Sequence, residues 1–589
     1  METLLQQMTK AAGKAFEACG MDPAFGKVNL SNRPDLCEYQ SNGALAAAKQ
    51  AHRNPLEIAE AVAERLKDDP LFEKAEAVRP GFINLTLSPE AVAAYLNNRK
   101  DDPMLGAEPI GAGKTIILDY GGANVAKPLH IGHLRSAIIG ESLKRICRFL
   151  GFHAIGDVHL GDWGLQMGLI IEALRDKEPG LPYFDAAHKG DYPAEAPFTI
   201  SDLEEIYPAA SARSKEDAEF AARAHEATRR LQNGDPGYYA LFRHIVNVSV
   251  ADLKKNYGNL DVSFDLWKGE SDAQAYIPAM LAEFKKKGLL KESEGAMVIE
   301  VAEESDTKEV PPCLVQKSDG AYLYATTDLA TIVQREQDYH PDEYFYVTDK
   351  RQAMHFLQVF RAARKTGLVG EETIMTHLGF GTMNGKDGKP FKTRSGGVMR
   401  LEYLLEDVTA AVYERMAGSD MPEEEKHRTA RIIGLAALKY GDLSNQATKD
   451  YIFDMDRFTS FEGNTGPYIL YTIVRIASIL NKYAAEGGSA DALPDTILPA
   501  ADAGEKELQR ILCGAGEVIL SAYTEKAPHK LCLYLYDLSN AFNSFYHDHR
   551  ILAEEDQARR ASWIALLAET KRVLSTLIGL LGFEAPERM

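Results

Sequence analysis

A short, almost wholly apolar run, TIILDY at residues 115–120, is followed by IGHLRSAIIGESLKRICRFLG, where apolar side chains return every three or four places. The first pattern predicts a strand buried on both faces, the second an amphipathic helix. A further strand, HAIGDVHL, and helix, DWGLQMGLIIEALRD, come next. This alternation predicts βαβ units and a parallel sheet. From about residue 176 to about 290 the pattern turns polar and helical, as in SKEDAEFAARAHEATRRLQ, which predicts an insertion. Alternation resumes with AMVIEV, PCLVQK, TTDLATIVQREQ, EYFYVTD and RQAMHFLQVFRAARKTG. The Gly- and Lys-rich HLGFGTMNGKDGKPFKTRSGG then reads as a mobile loop. Beyond about residue 400 strand signals fade and helices are expected to the end. Residues 1 to about 105 mix helical periodicity with short strands such as PGFINLTL.

At 589 residues the chain is too long for one hydrophobic core; at about 100–200 residues per domain, several domains are expected. With 66 Lys+Arg against 86 Asp+Glu the net charge is −20. That argues against non-specific polyanion binding, but a local basic face can still hold a nucleic acid. None of the six cysteines forms a C-x-x-C pair, so neither a zinc site nor a disulfide framework is suggested. The N-terminus lacks the apolar core of a signal peptide, and no apolar run is long enough to span a bilayer. A cytoplasmic, multidomain enzyme is expected, with no membrane partner.

The chemistry concentrates in NVAKPLHIGHLR, residues 124–135, between the first strand and the first helix. In a parallel sheet, ligands sit at the carboxyl ends of strands against helix N-termini, where backbone N–H groups favour an anion. His130 and His133 share a helical face and can donate to phosphoryl oxygens; Gly132 leaves room for a nucleotide to approach the backbone. Taken alone, His-x-x-His also fits one histidine capping the helix and the other packing. HIGH in this setting resembles the first signature of the class I aminoacyl-tRNA synthetases. The string ANVAKPLHIGHLRSAIIG, with GDWGLQMG, DGAYLYATTDLA, FEGNTGPYILYTIVR and the PERM end, resembles the arginyl-tRNA synthetases over essentially the whole chain.

The resemblance implies an α/β Rossmann-type catalytic domain at 111–400 with its insertion at about 176–290, and an appended tRNA-binding α+β domain at 1–110. It further implies a helical stem at 401–459 and a helical anticodon-binding bundle at 460–589. It implies ATP and L-arginine as substrates, the tRNA for arginine as partner, and Mg²⁺ accompanying the nucleotide, with no metal held by the protein itself; a monomer is expected. Carried over residue by residue, Asp119, Asn124, Tyr324, Asp328 and Gln352 place arginine. Asp328 also fits a helix N-cap, and Tyr324 fits a core position. Lys127, His130, Gly132 and His133 serve ATP. The second class I signature, Lys-Met-Ser-Lys-Ser, is absent; GKPFKTRSGG stands in its place, with Pro390 where a lysine is expected. Lys386, Lys389, Lys392 and Arg394 remain in that loop, and the sequence resembles a subset in which a lysine just before HIGH, here Lys127, supplies the missing charge. Lys127, His130, His133, Lys389 and Lys392 are therefore the expected catalytic groups. In the bundle, Arg475 and Tyr546 are expected to touch tRNA, with Lys482, His549, Lys571 and Arg572 either contacting phosphates or bases or standing on a solvated face; Phe542 and Phe545 are expected in the core. Two other readings stay open: another enzyme of this architecture, such as a cysteinyl synthetase or a nucleotidylyltransferase, and a non-catalytic tRNA-binding relative.

Overall fold

The computed structural model describes residues 2–33, 35–318, 320–389, 399–486 and 493–589. Two compact units form: one from residues 111–459 with 581–583, the other from residues 1–110, 460–580 and 584–589.

The first unit is built on four parallel strands, β1 (Thr115–Asp119), β2 (His153–Asp157), β3 (Glu343–Asp349) and β4 (Ile374–Phe380). Their spatial order is β4-β3-β1-β2. Ile116, Ile117 and Leu118 have no exposed surface, as an apolar run between two helical layers requires. The chain leaves β1 for β2 on one side and returns later to β3 on the other. Such a reversal opens a crevice at the carboxyl ends of the strands. Asp119, the last residue of β1, faces Asp157 of β2 on one side and Tyr346 of β3 on the other.

Helix α1 (Ile131–Phe149) connects β1 to β2, and α2 (Leu165–Lys177) follows β2. The insertion then contributes α3 (Ile200–Glu216), α4 (Ala218–Gln232) and α5 (Pro236–Asn259). Its polar composition conceals a small core of its own, in which Leu169 of α2 packs with Ala210, Phe220 and Ala224. An antiparallel sheet of Lys291–Ser293, Ala296–Ile299 and Cys313–Gln316 precedes α6 (Tyr324–Tyr339), and α7 (Ala353–Thr366) connects β3 to β4. The segment HLGF, expected to begin a mobile loop, instead completes β4. Strand pairing also continues past residue 400, because Met383–Asn384 pairs in parallel with Tyr451–Ile452. Both departures come from tertiary pairing that local composition does not encode.

Two helices, α8 (Leu401–Arg415) and α9 (Glu423–Leu443), complete this unit. Arg135 of α1, buried, meets Asp442 of α9 at 3.0 Å and donates to the carbonyls of Gly381 at 2.7 Å and Lys449 at 3.0 Å. A charge so deeply placed must be paired, and here the pairing ties α1 to the end of the sheet.

In the second unit, strands Val28–Leu30, Tyr39–Ser41, Phe82–Leu87 and Phe72–Val78 form an antiparallel sheet in that spatial order. It shares its unit with the C-terminal helices, among them α10 (Gly466–Ala485) and α11 (His529–Asp548). Fully buried Arg99 reaches Glu569 at 2.7 Å, and Glu517 accepts from the backbone of Leu5 in the first turn of the N-terminal helix at 3.2 Å.

Candidate active site

The turn between β1 and α1 is fixed by its two histidines. His130 is the N-cap of α1: its Nδ1 accepts from the Gly132 N–H at 3.0 Å. The His130 N–H in turn donates to Nδ1 of His133 at 3.1 Å, and the ring centroids lie 3.9 Å apart. A Cβ at position 132 would come within 2.7 Å of the His130 ring, so the glycine is needed by the cap itself. With both Nδ1 atoms accepting, the ring protons reside on Nε2. Burial and the neighbouring His130 push His133 down to about 3, and burial with the nearby Lys127 lowers His130 as well. Two neutral imidazoles with Nε2–H donors at a helix N-terminus suit phosphoryl oxygens. Capping thus occupies Nδ1 of His130 and leaves Nε2 to other partners.

Lys127 lies upstream in the same turn. Ala126 before it holds a left-handed backbone, φ 58°, and its N–H donates to the buried Ser249 Oγ of α5 at 2.9 Å. The Lys127 ammonium lies 4.8 Å from the ring centre of Tyr207 on α3. The stretch following the lysine-rich loop returns to the same turn: Ile131 donates to the Met399 carbonyl, and Leu401 to that of Leu129, each at 3.0 Å. Within that loop, Lys386 pairs with Asp454 at 3.4 Å, whereas Lys389 is exposed, its backbone N–H held by Asp387 at 3.1 Å. Lys392, with Pro390 and Arg394, lies outside the described residues.

On the opposite side of the turn, Asn124 pairs in β-bridge fashion with Gly161 of GDWG. A Cβ at 161 would stand 2.0 Å from Asn124 Oδ1, so this glycine makes room for the asparagine side chain. Asp119 is half committed within the protein: Arg335 of α6, buried, meets it at 2.6 Å and Asp157 at 2.8 Å. Arg335 thus engages Oδ2 of Asp119, as His355 engages Oδ2 of Asp328. Tyr324 is the first residue of α6 and is exposed; Asp328 stands one turn on, along the same face. Asp328 is therefore not an N-cap, nor is Tyr324 core. Instead, Asp328 Oδ2 lies 2.6 Å from Nε2 of His355 on α7, and exposed Gln352 immediately precedes α7. Asp119 and Asp328 both bear electrostatically on Tyr346 between them.

One carboxylate in this crevice escapes sequence reasoning. Glu270 comes from the far end of the insertion, where nothing in its local pattern marks it. Its N–H donates to the Leu160 carbonyl at 3.0 Å, and the adjoining Ser271 is pinned by Asp162 at 2.6 Å and 2.9 Å. Burial raises Glu270 to about 7; His159 and the Trp163 backbone act against the rise, while Asp162 and Asp328 add to it. Glu270 and Asp328 therefore stand as two acids within electrostatic reach of each other.

Comparison with known proteins shows the family. Residues 100–455 match the family described as tRNA synthetases class I (R), catalytic domain. The flanking segments match the arginyl tRNA synthetase N terminal domain over residues 2–87 and the DALR anticodon binding domain over residues 469–589. An arginine–tRNA ligase from Agathobacter rectalis is 57% identical over 100% of both chains, and one from Alkaliphilus oremlandii is 54% identical over the same share. The chain belongs to the class I arginyl-tRNA synthetases. As a member it is an arginine–tRNA ligase. The fold is that of solved relatives: arginyl-tRNA synthetase from Plasmodium falciparum gives a TM-score of 0.81 at 24% identity, covering 100% of each chain. The Thermus thermophilus enzyme gives 0.78 at 23%, covering 99% of this chain and 100% of that one.

In the helical region of this synthetase, α10 and α11 build a polar aromatic surface. The Arg475 guanidinium lies 4.6 Å from the ring centre of Tyr471 and 5.2 Å from that of Tyr546, and donates to Asn543 Oδ1 at 2.7 Å. Tyr471 and Tyr546 are exposed, whereas Phe542 and Phe545 are buried. His549 is held by Asp502 at 2.8 Å, and Arg572 by Glu569 at 2.7 Å and the Asp102 carbonyl at 2.8 Å. Those two side chains brace the unit.

Proposed function

We propose that this site performs both steps of arginine charging with the residues just described. In the first step a carboxylate oxygen of arginine bonds to the α-phosphorus of ATP as the α–β anhydride bond breaks, and pyrophosphate departs. In the second, a ribose hydroxyl of the terminal adenosine of the tRNA, the 2′-hydroxyl by class I membership, attacks the acyl carbon and AMP leaves. Phosphoryl transfer asks the protein for position and charge rather than covalent help. His130 and His133 donate from Nε2 to phosphoryl oxygens, and Gly132 keeps the turn open to the nucleotide. Lys127, with Lys389 and Lys392 of the loop, carries positive charge for the pyrophosphate. Among the described residues no three His, Cys, Asp or Glu side chains are grouped to hold a metal ion. A magnesium ion that accompanies the nucleotide would be held by its phosphates and water, where it would screen phosphate charge.

A guanidinium is a planar fork that wants two acceptors, and a lysine ammonium leaves part of such a site unpaired. Asp328 and Glu270 supply these acceptors, with Tyr324 and Asn124 orienting the rest of the amino acid and Gln352 beside them. Asp119, with Oδ2 held by Arg335, offers its other oxygen to the substrate guanidinium. Arg475 and Tyr546 meet the tRNA. We read the enzyme as a monomer acting in the cytoplasm; no helix among the described residues is long and apolar enough to cross a membrane.

The observation that carries this reading is the neutral histidine pair at the helix N-terminus, in the same crevice as two acids. Incorporation of each of the twenty amino acids into unfractionated tRNA tests it. Arginine alone should be charged; charging of lysine at a comparable rate, or of nothing, overturns it. Family resemblance adds that activation needs bound tRNA, so arginine-dependent pyrophosphate exchange should be slow without it. Equal exchange rates with and without tRNA overturn that part.

A further inference from the structure

The insertion helix α3 presents two side chains to the phosphate side of the active site. Tyr207 and Glu204 stand three residues apart, hence on one face of the helix. The Tyr207 ring receives the Lys127 ammonium at 4.8 Å. Glu204 meets Arg400 at 2.9 Å, and Arg400 forms a bridge with His130, the cap of the HIGH helix. A single helix face therefore holds the segment entering α1 and the segment leaving the lysine-rich loop. Tyr207 is itself fixed, packed against the cluster of Leu169, Ala210, Phe220 and Ala224.

We infer that Tyr207 is a positioning residue for adenylate formation: its ring fixes the Lys127 ammonium toward the departing pyrophosphate without neutralising it. The inference rests on the role assigned to Lys127 above. A four-carbon side chain loses about 2 kcal/mol of rotamer freedom when ordered, so something must restrain it for the charge to be in place. A carboxylate partner would do so but would cancel the charge that pyrophosphate needs. The face of a tyrosine restrains a cation and leaves it charged. Among the described residues Lys127 forms no ion pair with a carboxylate, which is the arrangement this role demands. The backbone is prepared in the same way, since α5 of the insertion holds Ala126 in its left-handed conformation through Ser249. The insertion thereby supplies the platform on which the catalytic lysine rests.

Arginine-dependent pyrophosphate exchange on the full-length enzyme, with tRNA present, tests this in a double-mutant cycle. Tyr207→Leu keeps apolar bulk against the α2–α4 cluster but removes the ring. It should slow exchange roughly 2- to 30-fold, the range of a cation held on a tyrosine face, with the KM for arginine unchanged. Tyr207→Phe should restore most of the rate. In a Lys127→Ala background, Tyr207→Leu should add little. An undiminished loss in that background means a structural role and overturns the inference. A faster rate in Tyr207→Leu means that the ring restrains Lys127 unproductively, which also overturns it. If Lys127→Ala slows exchange while Tyr207→Leu does not, the inference falls and the role of Lys127 stands. If Lys127→Ala is silent, or the wild-type enzyme shows no arginine-dependent exchange, the reading beneath it fails instead.

Discussion

At the scale of single residues, the proposed arginine pocket is a matter of acids held close together at a cost. Glu270, raised to about 7 by burial with Asp162 and Asp328 nearby, is partly protonated in the empty enzyme at neutral pH. A bound guanidinium favours the carboxylate, so arginine binding expels a proton whenever the pH is below that value. Arginine affinity should therefore weaken as pH falls through about 7 and level off above it. Measured as the KM for arginine in exchange assays from about pH 6 to about pH 8, this dependence should vanish in Glu270→Gln. A dependence that survives Glu270→Gln assigns the proton elsewhere. Asp328→Asn should raise the same KM roughly 10- to 150-fold, the worth of one hydrogen bond to a charged group, and leave the KM for ATP near its starting value. The cap at His130, its fit against Gly132 and the place of Lys127 were legible in the sequence because they are local and lie within one turn. The engagement of Asp119 by Arg335 and the arrival of Glu270 were not. Both depend on which strands become neighbours and where a long insertion returns.

Elements reveal why one glycine and one buried ion pair matter more than their exposure suggests. Gly161 lies in the loop after β2, where a methyl group would stand 2.0 Å from Asn124 Oδ1. Gly161→Ala should displace Asn124, raising the KM for arginine while thermal stability and the KM for ATP change little; equal damage to both substrates would mean that the whole turn had moved. The pairing of Arg135 with Asp442 works at longer range. It holds α1 to α9 where both are buried, and Tyr451 OH donates to the same carboxylate at 2.7 Å. Asp442→Ala leaves a buried guanidinium with carbonyl acceptors only and should cost about 3–5 kcal/mol. Calorimetry should place that loss in the transition of the catalytic unit; an unshifted transition would mean that water reaches Arg135. The alternation of strand and helix, the insertion and the helical end could all be read from periodicity. The short pairing of Met383–Asn384 with Tyr451–Ile452 could not, because two-residue strands carry no periodic signal and owe their existence to the Arg135 network beside them.

For the molecule as a whole, the difficulty is that a chain of net charge −20 must hold a polyanion. Its far field repels tRNA, so affinity has to come from places where cations and flat rings are concentrated. The surface proposed for this on α10 and α11 sets Arg475 against Tyr471 and Tyr546. Here the guanidinium is held at the height of two exposed rings, ready for a phosphate beside a stacked base. Tyr546→Ala should raise the KM for tRNA by roughly 5- to 150-fold, the usual worth of one stacked base, with the KM values for arginine and ATP unchanged. Arg475→Ala should weaken tRNA binding and reduce its salt dependence by about one phosphate contact. A minihelix that carries only the acceptor stem separates this from general damage. If Arg475 and Tyr546 face the anticodon arm, both variants should charge the minihelix as fast as the unaltered enzyme does. An equal loss on minihelix and full tRNA would remove these residues from anticodon-arm recognition and return Arg475 to a structural clamp between α10 and α11.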